Sequence, residues 1–295
     1  MNFDFNEEQT MIMDGIARYI REEYDFDRRR SIIESDSACS DDVWRQFSEL
    51  GWLSIPFDES YGGFGGHADD LAGVMLELGK GLIIEPYMST VVVFGSLLNA
   101  SNNDSLKEQL IPRIINGQYK GSFAYAEEQS RFEISDVKTS AQKCGDGYKL
   151  NGTKIAVIDA KESDGLIVTA RTGGSQYGAE GISLFLVDTS AEGVAVSSYN
   201  TMDSHSSSTI NLENVFVTEA NLIVDEGEGF RHIESCLPQI LLCLSAEALG
   251  IMEVLNRLTV EYSKTRKQFG APIGSFQALQ HLSLIHISEP TRPER

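Results

Sequence analysis

The order of apolar and polar residues over positions 1–120 repeats with the period of an α-helix. Asn6 followed by Gln9 is typical of a capping box and predicts the start of a first helix. Ser40 is the predicted N-cap of a second helix, which stops at Gly51. Two more helices are predicted at residues 87–98 and 106–115. The clearest helical stripe, with i, i+3, i+4 and i+7 spacing, consists of Leu71, Val74, Met75 and Leu78.

Beyond residue 120 the pattern changes to the two-residue period of a β-strand. Residues 148–155 alternate around Asn151-Gly152, a dipeptide that predicts a hairpin with a type I′ turn. Segments rich in β-branched and aromatic residues predict further strands at 166–171, 182–188, 194–199 and 209–218. Many short strands at this spacing are typical of a small barrel or sandwich.

A helical period returns near Gly229 and continues to Tyr262. Such a long apolar stripe indicates a helix that packs against other helices, and Pro238 predicts a kink or a fresh start within it. The predicted fold class is therefore α+β. It comprises an N-terminal helical domain at 1–120, a β-barrel at 121–225 and the first helices of a C-terminal bundle at 226–281.

Composition narrows the function classes. Hydrophobic residues make up 41% and charged residues 23%, and the net charge of −20 disfavours nucleic acid and anionic membranes as partners. The N-terminus lacks the pattern of a signal peptide, and the apolar run at 237–252 contains polar residues and is too short to span a bilayer. The cysteines are too scattered to predict a zinc site or disulfides. We expect a cytoplasmic protein without a metal site.

Three motifs resemble those of the acyl-CoA dehydrogenase family over residues 1–281. Arg266–Gly270 followed by Phe276-Gln277 resembles the family's R-x-x-F-G…F-Q signature. The segment 50–65, with Leu-Gly-Trp and Tyr-Gly-Gly-Phe-Gly, and the segment 146–154, with Leu-Asn-Gly-Thr-Lys, resemble two more. The resemblance implies a helical domain, a β-barrel and a four-helix bundle. It also implies FAD as cofactor and α,β-dehydrogenation of an acyl-CoA thioester.

The resemblance also implies cofactor-binding residues. Ala126 and Ile158 fall at positions beside the flavin where the family usually has Thr, and Ala156 replaces a usual Trp. The hydroxyl contacts of those Thr residues are therefore lost, whereas backbone contacts are retained. The residues that fall at positions holding the FAD of a neighbouring subunit are Arg266, Gln268, Phe269 and Gln277.

No catalytic carboxylate is predicted in this chain. In most of the family the base is a Glu well after the F-Q motif, which places it beyond His281. In a minority it lies on the long helix, at the position that Ile240 occupies here, and Glu247 is out of register with it. These departures resemble the small partner subunits of the family, such as that of pimeloyl-CoA dehydrogenase.

The segment 282–292 resembles the translation of a sequencing-library adapter. We therefore expect 282–295 to be an adapter-derived tail and the natural chain to continue differently after His281. We expect the chain by itself to be inactive and poorly soluble, because the long helix lacks its bundle partners.

Three hypotheses for function remain. The chain is a catalytic acyl-CoA dehydrogenase subunit, a non-catalytic partner subunit of a heteromeric dehydrogenase, or an acyl-CoA-binding relative with a different chemical outcome. The expected partners are an acyl-CoA substrate, another copy or a second dehydrogenase subunit, and electron-transferring flavoprotein. A hydrolase based on Asp203, Ser204 and His205 is disfavoured, because a triad requires convergence in space rather than adjacency in sequence. Glu127 is expected either in a substrate channel or at a solvated barrel edge.

Overall fold

The computed structural model describes residues 5–35, 37 and 39–281. The predicted adapter segment lies outside these residues. The helices of this part lie between residues 7 and 115, as predicted. Their bounds are α1 Glu7–Glu23, α2 Phe26–Ile33, α3 Asp41–Glu49, α4 Ala68–Gly81, a π-helical turn at Tyr87–Phe94, α5 Gly95–Asn99 and α6 Asp104–Ile115.

The predicted cap of α1 is confirmed. The Asn6 side chain accepts a hydrogen bond from the backbone N–H of Gln9 at 2.8 Å, and the Gln9 side chain accepts one from the N–H of Asn6 at 2.9 Å. Both donors belong to the first helical turn, where no carbonyl is available to them. The sequence pattern missed α2, a short and polar helix that Asp25 caps.

Residues 121–218 form one seven-stranded sheet. Its order is β1-β4-β2-β3-β7-β6, with β5 paired to β4, and β1 runs parallel to β4. Buried side chains such as Tyr148, Val168 and Phe185 form a core of its own for this sheet. The strands are β1 Gly121–Ala124, β2 Ser140–Cys144, β3 Gly147–Ile158, β4 Gly165–Arg171, β5 Ile182–Asp188, β6 Val194–Asn200 and β7 Ser206–Thr218.

The predicted hairpin at Asn151-Gly152 is wrong. These residues lie inside β3, and the chain turns instead at Gly145-Asp146, where Gly145 has φ +63° and Cys144 pairs with Gly147. Glycine at position 152 lets Thr139 pack close to the backbone of β3, because a Cβ there would lie 2.4 Å from the Thr139 hydroxyl oxygen. Asn-Gly thus marks an irregularity in the pairing of β3 with β7 rather than a turn.

The last long element is α7, Gly229–Thr265, with 37 residues. It continues through Pro238 without the predicted fresh start. By length and composition, α7 is long and apolar enough to cross a membrane. The sequence predicted that the apolar run within it would be too short. The core helix of a soluble protein passes the same test. A two-stranded hairpin of β8 Lys267–Gln268 and β9 Ala271–Pro272 follows.

Helix α7 crosses α4 at very close range. A Cβ on Gly250 would lie 2.0 Å from the carbonyl oxygen of Leu76, and one on Gly79 would lie 2.3 Å from that of Glu247. Glycines at the crossing therefore let the two backbones touch. The order of helical part, sheet and long helix confirms the predicted α+β fold class.

Candidate functional site

A cleft of about 240 Å³ lies where the helical part, the sheet and α7 meet. We call it the junction cleft. Side chains from each of the three parts line the cleft, so no single part forms it alone. Its lining residues are Met75, Leu78, Ile83, Glu85, Tyr87, Met88, Ile158, Asp159, Thr201, Asp203, His205, Leu244 and Glu247.

Asp159 is fixed at the sheet side of the cleft. It follows β3 in the left-handed region, with φ +57°, which turns the chain out of the strand. Its carboxylate accepts a hydrogen bond from the Ser89 hydroxyl at 2.6 Å and lies 3.9 Å from Nδ1 of His205. Asp159 therefore joins the sheet to the helical part and to the loop at 201–205.

The 201–205 loop is held from two sides. The Asp203 carboxylate accepts hydrogen bonds from the Thr201 hydroxyl and from the backbone N–H of His205. Arg29 donates from Nη2 to the Asp203 carbonyl at 3.0 Å and from Nε to the Leu82 carbonyl at 2.6 Å. These bonds fix His205 at the rim of the cleft.

Charges in the junction cleft influence one another. The Asp159 side chain raises the pKa of His205 above its usual value despite burial. Burial raises the pKa of Glu247, an effect that His205 opposes, and burial also raises the pKa of Glu85. Burial disfavours ionised Asp203 as well, but the hydrogen bonds from Thr201 and His205 outweigh it and leave its pKa lowered. The cleft can thus hold or release protons.

Two predicted cofactor positions lie on neighbouring segments of the sheet. The backbone N–H of Ile155 donates to the Ala126 carbonyl at 2.9 Å, and the Ser122 hydroxyl donates to the Ile158 carbonyl at 2.7 Å. Ile158 is 45% exposed and lines the junction cleft. Its side chain therefore offers an apolar surface at the position that the resemblance assigns to the flavin ring.

The other four predicted cofactor residues lie at the far end of α7. Arg266 caps the helix, Gln268 lies in β8, and Phe269 is 95% exposed at the turn to β9. Gln277 is also exposed. At 1.5 Å per residue, Arg266 lies about 28 Å along the helix from Glu247. The structure therefore does not bring these residues together with Ala126 and Ile158 within one chain.

Glu127 lies in neither of its predicted environments. It is buried and forms an ion pair with the fully buried Lys154 at 2.7 Å. Backbone N–H groups of Lys138 and Thr139 also donate to its carboxylate, at 2.8 and 3.0 Å. The pair fixes the segment after β1 against β3 and so supports the position of Ala126.

Comparison with known proteins identifies the family. The family models for the N-terminal, middle and C-terminal domains of acyl-CoA dehydrogenase match residues 6–118, 122–215 and 227–285. The chain belongs to the acyl-CoA dehydrogenase family. The probable acyl-CoA dehydrogenase YngJ of Bacillus subtilis is 32% identical over 95% of this chain and 74% of its own length.

Two solved structures resemble the fold. The ChsE4-ChsE5 complex from Mycobacterium tuberculosis has a TM-score of 0.86 at 26% identity, over 98% of this chain and 75% of the other. The FAD complex of PigA has a TM-score of 0.87 at 26% identity, over 95% and 74%. The chain thus spans about three quarters of these relatives, some of which bind FAD or form complexes.

Sequence reasoning missed the junction cleft as a site. It considered Asp203 and His205 as part of a hydrolase and Glu247 as a base out of register, and it did not consider Glu85 or Asp159. The helical spacing of Leu244 and Glu247 carries a partial signal, because both lie on one face of α7. The convergence with Asp159 depends on the tertiary fold.

Proposed function

We propose that this chain is a subunit of an FAD-dependent acyl-CoA dehydrogenase. The observation that carries the proposal is the junction cleft, which in a member of this family adjoins the exposed Ile158 at the position assigned to the flavin ring. When bound, FAD supplies the acceptor for the hydride that leaves Cβ of the thioester. The family resemblance suggests electron-transferring flavoprotein as the protein that accepts the electrons from FAD.

The residues present fit a flavin that is shared between chains. Ile158 supplies an apolar surface for the ring and Ala126 supplies backbone atoms beside it. Arg266 is exposed and has no ion pair among the described residues, so its guanidinium is available for a pyrophosphate. The ~28 Å between Arg266 and the cleft supports the role that the resemblance implies, namely a contact with an FAD seated on a neighbouring chain.

The cleft's apolar wall, which includes Met75 and Leu244, suits the hydrocarbon of an acyl group. Exclusion of water there strengthens every charge interaction with the substrate. The catalytic base stays unassigned. Ile240 is partly buried against the helical core and carries no titratable group, as the sequence analysis expected.

Titration of the purified chain with FAD tests this proposal. We expect one FAD per chain in an oligomer. Arg266→Gln should weaken FAD binding about tenfold, which corresponds to the loss of one charge-assisted contact. Arg257→Gln, which removes an exposed Arg from the same helix, is the matched control.

A non-catalytic partner subunit is the second candidate. The apolar Ala126, Ala156 and Ile158 favour it, since they remove side-chain contacts to the flavin that the family usually has. In that case the chain alone would bind no FAD, and a complex with a second dehydrogenase chain would hold one FAD for each pair. The measured ratio of FAD to chain separates the two candidates.

A further inference from the structure

The junction cleft has two unlike walls. Met75, Leu78, Ile83, Met88 and Leu244 make one of them apolar. The other wall carries four carboxylates and a single imidazole, at Glu85, Asp159, Asp203, Glu247 and His205. A purely hydrocarbon ligand would cover the first wall and desolvate the second without replacing its hydrogen bonds.

Two buried polar atoms at this cleft have no hydrogen-bond partner among the described residues. They are Oε2 of Glu85 and Nδ1 of His205. Nδ1 of His205 nevertheless faces the Asp159 carboxylate at 3.9 Å. Buried polar atoms are normally paired, so the unpaired Glu85 oxygen on this cavity indicates that a polar ligand group completes it. When Glu85 is ionised, its carboxylate only accepts hydrogen bonds, so its free oxygen Oε2 calls for a donor.

Glu247 is the carboxylate most available to a ligand. Asp159 is engaged by Ser89, and Asp203 by Thr201 and the backbone of His205. Over the described part of the chain, Glu247 makes no hydrogen bond or ion pair with another side chain. Leu244, one turn before it on α7, lies on the same cleft. Glu247 is therefore placed to contact the far end of a ligand whose hydrocarbon part covers the apolar wall.

The charge balance favours a cation. Four carboxylates against one imidazole leave the cleft negative when they are ionised, and nearby Arg29 is occupied by the carbonyls of Leu82 and Asp203. A ligand carboxylate would meet like charges at short range, whereas an ammonium would be attracted and would supply a donor to Oε2 of Glu85.

We infer that the junction cleft selects an acyl group whose far end carries an ammonium and rejects one that ends in a carboxylate, with Glu247 as the residue that determines this preference. The inference rests on the proposed function, because it takes the cleft for the acyl site. It assigns a substrate class: aminoacyl thioesters rather than dicarboxylic or plain fatty acyl thioesters.

Three thioesters of nearly equal length test the inference against the whole chain by isothermal titration calorimetry. They are 6-aminohexanoyl-CoA, heptanoyl-CoA and adipoyl-CoA, which end in an ammonium, a methyl group and a carboxylate. We expect 6-aminohexanoyl-CoA to bind about tenfold more tightly than heptanoyl-CoA, and adipoyl-CoA about tenfold more weakly. Equal affinities, or tightest binding of adipoyl-CoA, would overturn the inference.

Glu247→Gln keeps the shape of the side chain and removes its charge. It should reduce the affinity for 6-aminohexanoyl-CoA about tenfold and leave that for heptanoyl-CoA unchanged. Glu234→Gln removes an exposed carboxylate from the same helix and should change neither affinity. Unchanged affinities in Glu247→Gln would remove Glu247 from the assignment. The comparison of three ligands on the unsubstituted chain stands even if this variant does not fold.

Failure of the proposed function gives a different result. If none of the three thioesters binds, the cleft is not an acyl-CoA site and both proposals fall. If heptanoyl-CoA binds but the three affinities are equal, the acyl site stands and the preference for a cation is wrong.

Discussion

The Glu127–Lys154 pair shows how one buried contact fixes a part of the sheet. Lys154 also donates to the Thr169 hydroxyl at 2.7 Å. Lys154→Met should lower the free energy of unfolding by about 3–5 kcal/mol, because it leaves the Glu127 carboxylate buried without its cation. Adding Glu127→Gln should restore much of the loss, as urea denaturation would reveal. A double variant less stable than the single one would contradict this account.

The same pair predicts a dependence of stability on pH. Burial opposes ionised Glu127, but Lys154 and the surrounding donors outweigh burial and lower its pKa to about 2. A carboxyl group with a lowered folded pKa stabilises the protein above its unfolded pKa, and this stabilisation is lost as the pH falls from the unfolded value of 4.5 towards 2. The urea midpoint should therefore fall more steeply over this range than in Glu127→Gln/Lys154→Met.

At the residue scale, the sequence predicts roles where partners are close along the chain. The capping bonds between Asn6 and Gln9 span three residues and were predicted correctly. Glu127 and Lys154 are 27 residues apart, and no local pattern indicates that they meet. The acids of the junction cleft come from three parts of the molecule, so local spacing could not predict their convergence.

At the scale of elements, the crossing of α4 and α7 depends on Gly250. An added methyl group would lie 2.0 Å from the Leu76 carbonyl oxygen and would force the helices apart. Gly250→Ala should lower the free energy of unfolding by about 1–3 kcal/mol through overpacking. It should also weaken binding in the junction cleft, because Glu247 would move with its helix.

Gly15→Ala is a matched control for this prediction. Gly15 lies inside α1 with no heavy atom within 4 Å of the added Cβ. Alanine there should stabilise the helix by about 0.5–1 kcal/mol. Thermal denaturation should show a lower melting temperature for Gly250→Ala and a higher one for Gly15→Ala. This difference would distinguish the close approach of two backbones from a general effect of glycine in helices. Equal and stabilising effects would contradict the close approach.

Elements were predicted well where the pattern is long and periodic. Residues 71–78 of α4 and four of the strands fall where their patterns indicated. The Asn151-Gly152 hairpin failed because Thr139, directly before β2, uses the space that glycine leaves. Turn chemistry identifies residues that can turn, whereas tertiary packing decides whether they do.

For the whole molecule, the exposed face of α7 predicts self-association. Met252, Leu255 and Leu258 are 56%, 58% and 49% exposed along one helix. Large apolar patches of this kind favour association. Sedimentation velocity should show species larger than a monomer that dissociate on dilution, and Met252→Gln/Leu255→Gln should reduce them. Met11→Gln, at an exposed Met on α1, should not.

The order of the three parts was predictable from the sequence because each has its own hydrophobic period. The family resemblance added what the pattern does not contain, namely FAD and thioester chemistry. Neither source predicted the negative charge of the junction cleft, since that property arises where the three parts meet.

Because α7 is one continuous helix, the direction of Arg266 around the helix axis is fixed relative to that of Glu247. Deleting one residue between Glu247 and Arg266 would turn Arg266 by about 100° around the helix axis relative to the cleft. Adding seven residues, about two turns, would nearly restore its direction but move it about 10 Å further away. An insertion or deletion in this stretch therefore changes either the direction of Arg266 or its distance from the cleft. We expect insertions and deletions to be tolerated in the loops outside α7 instead.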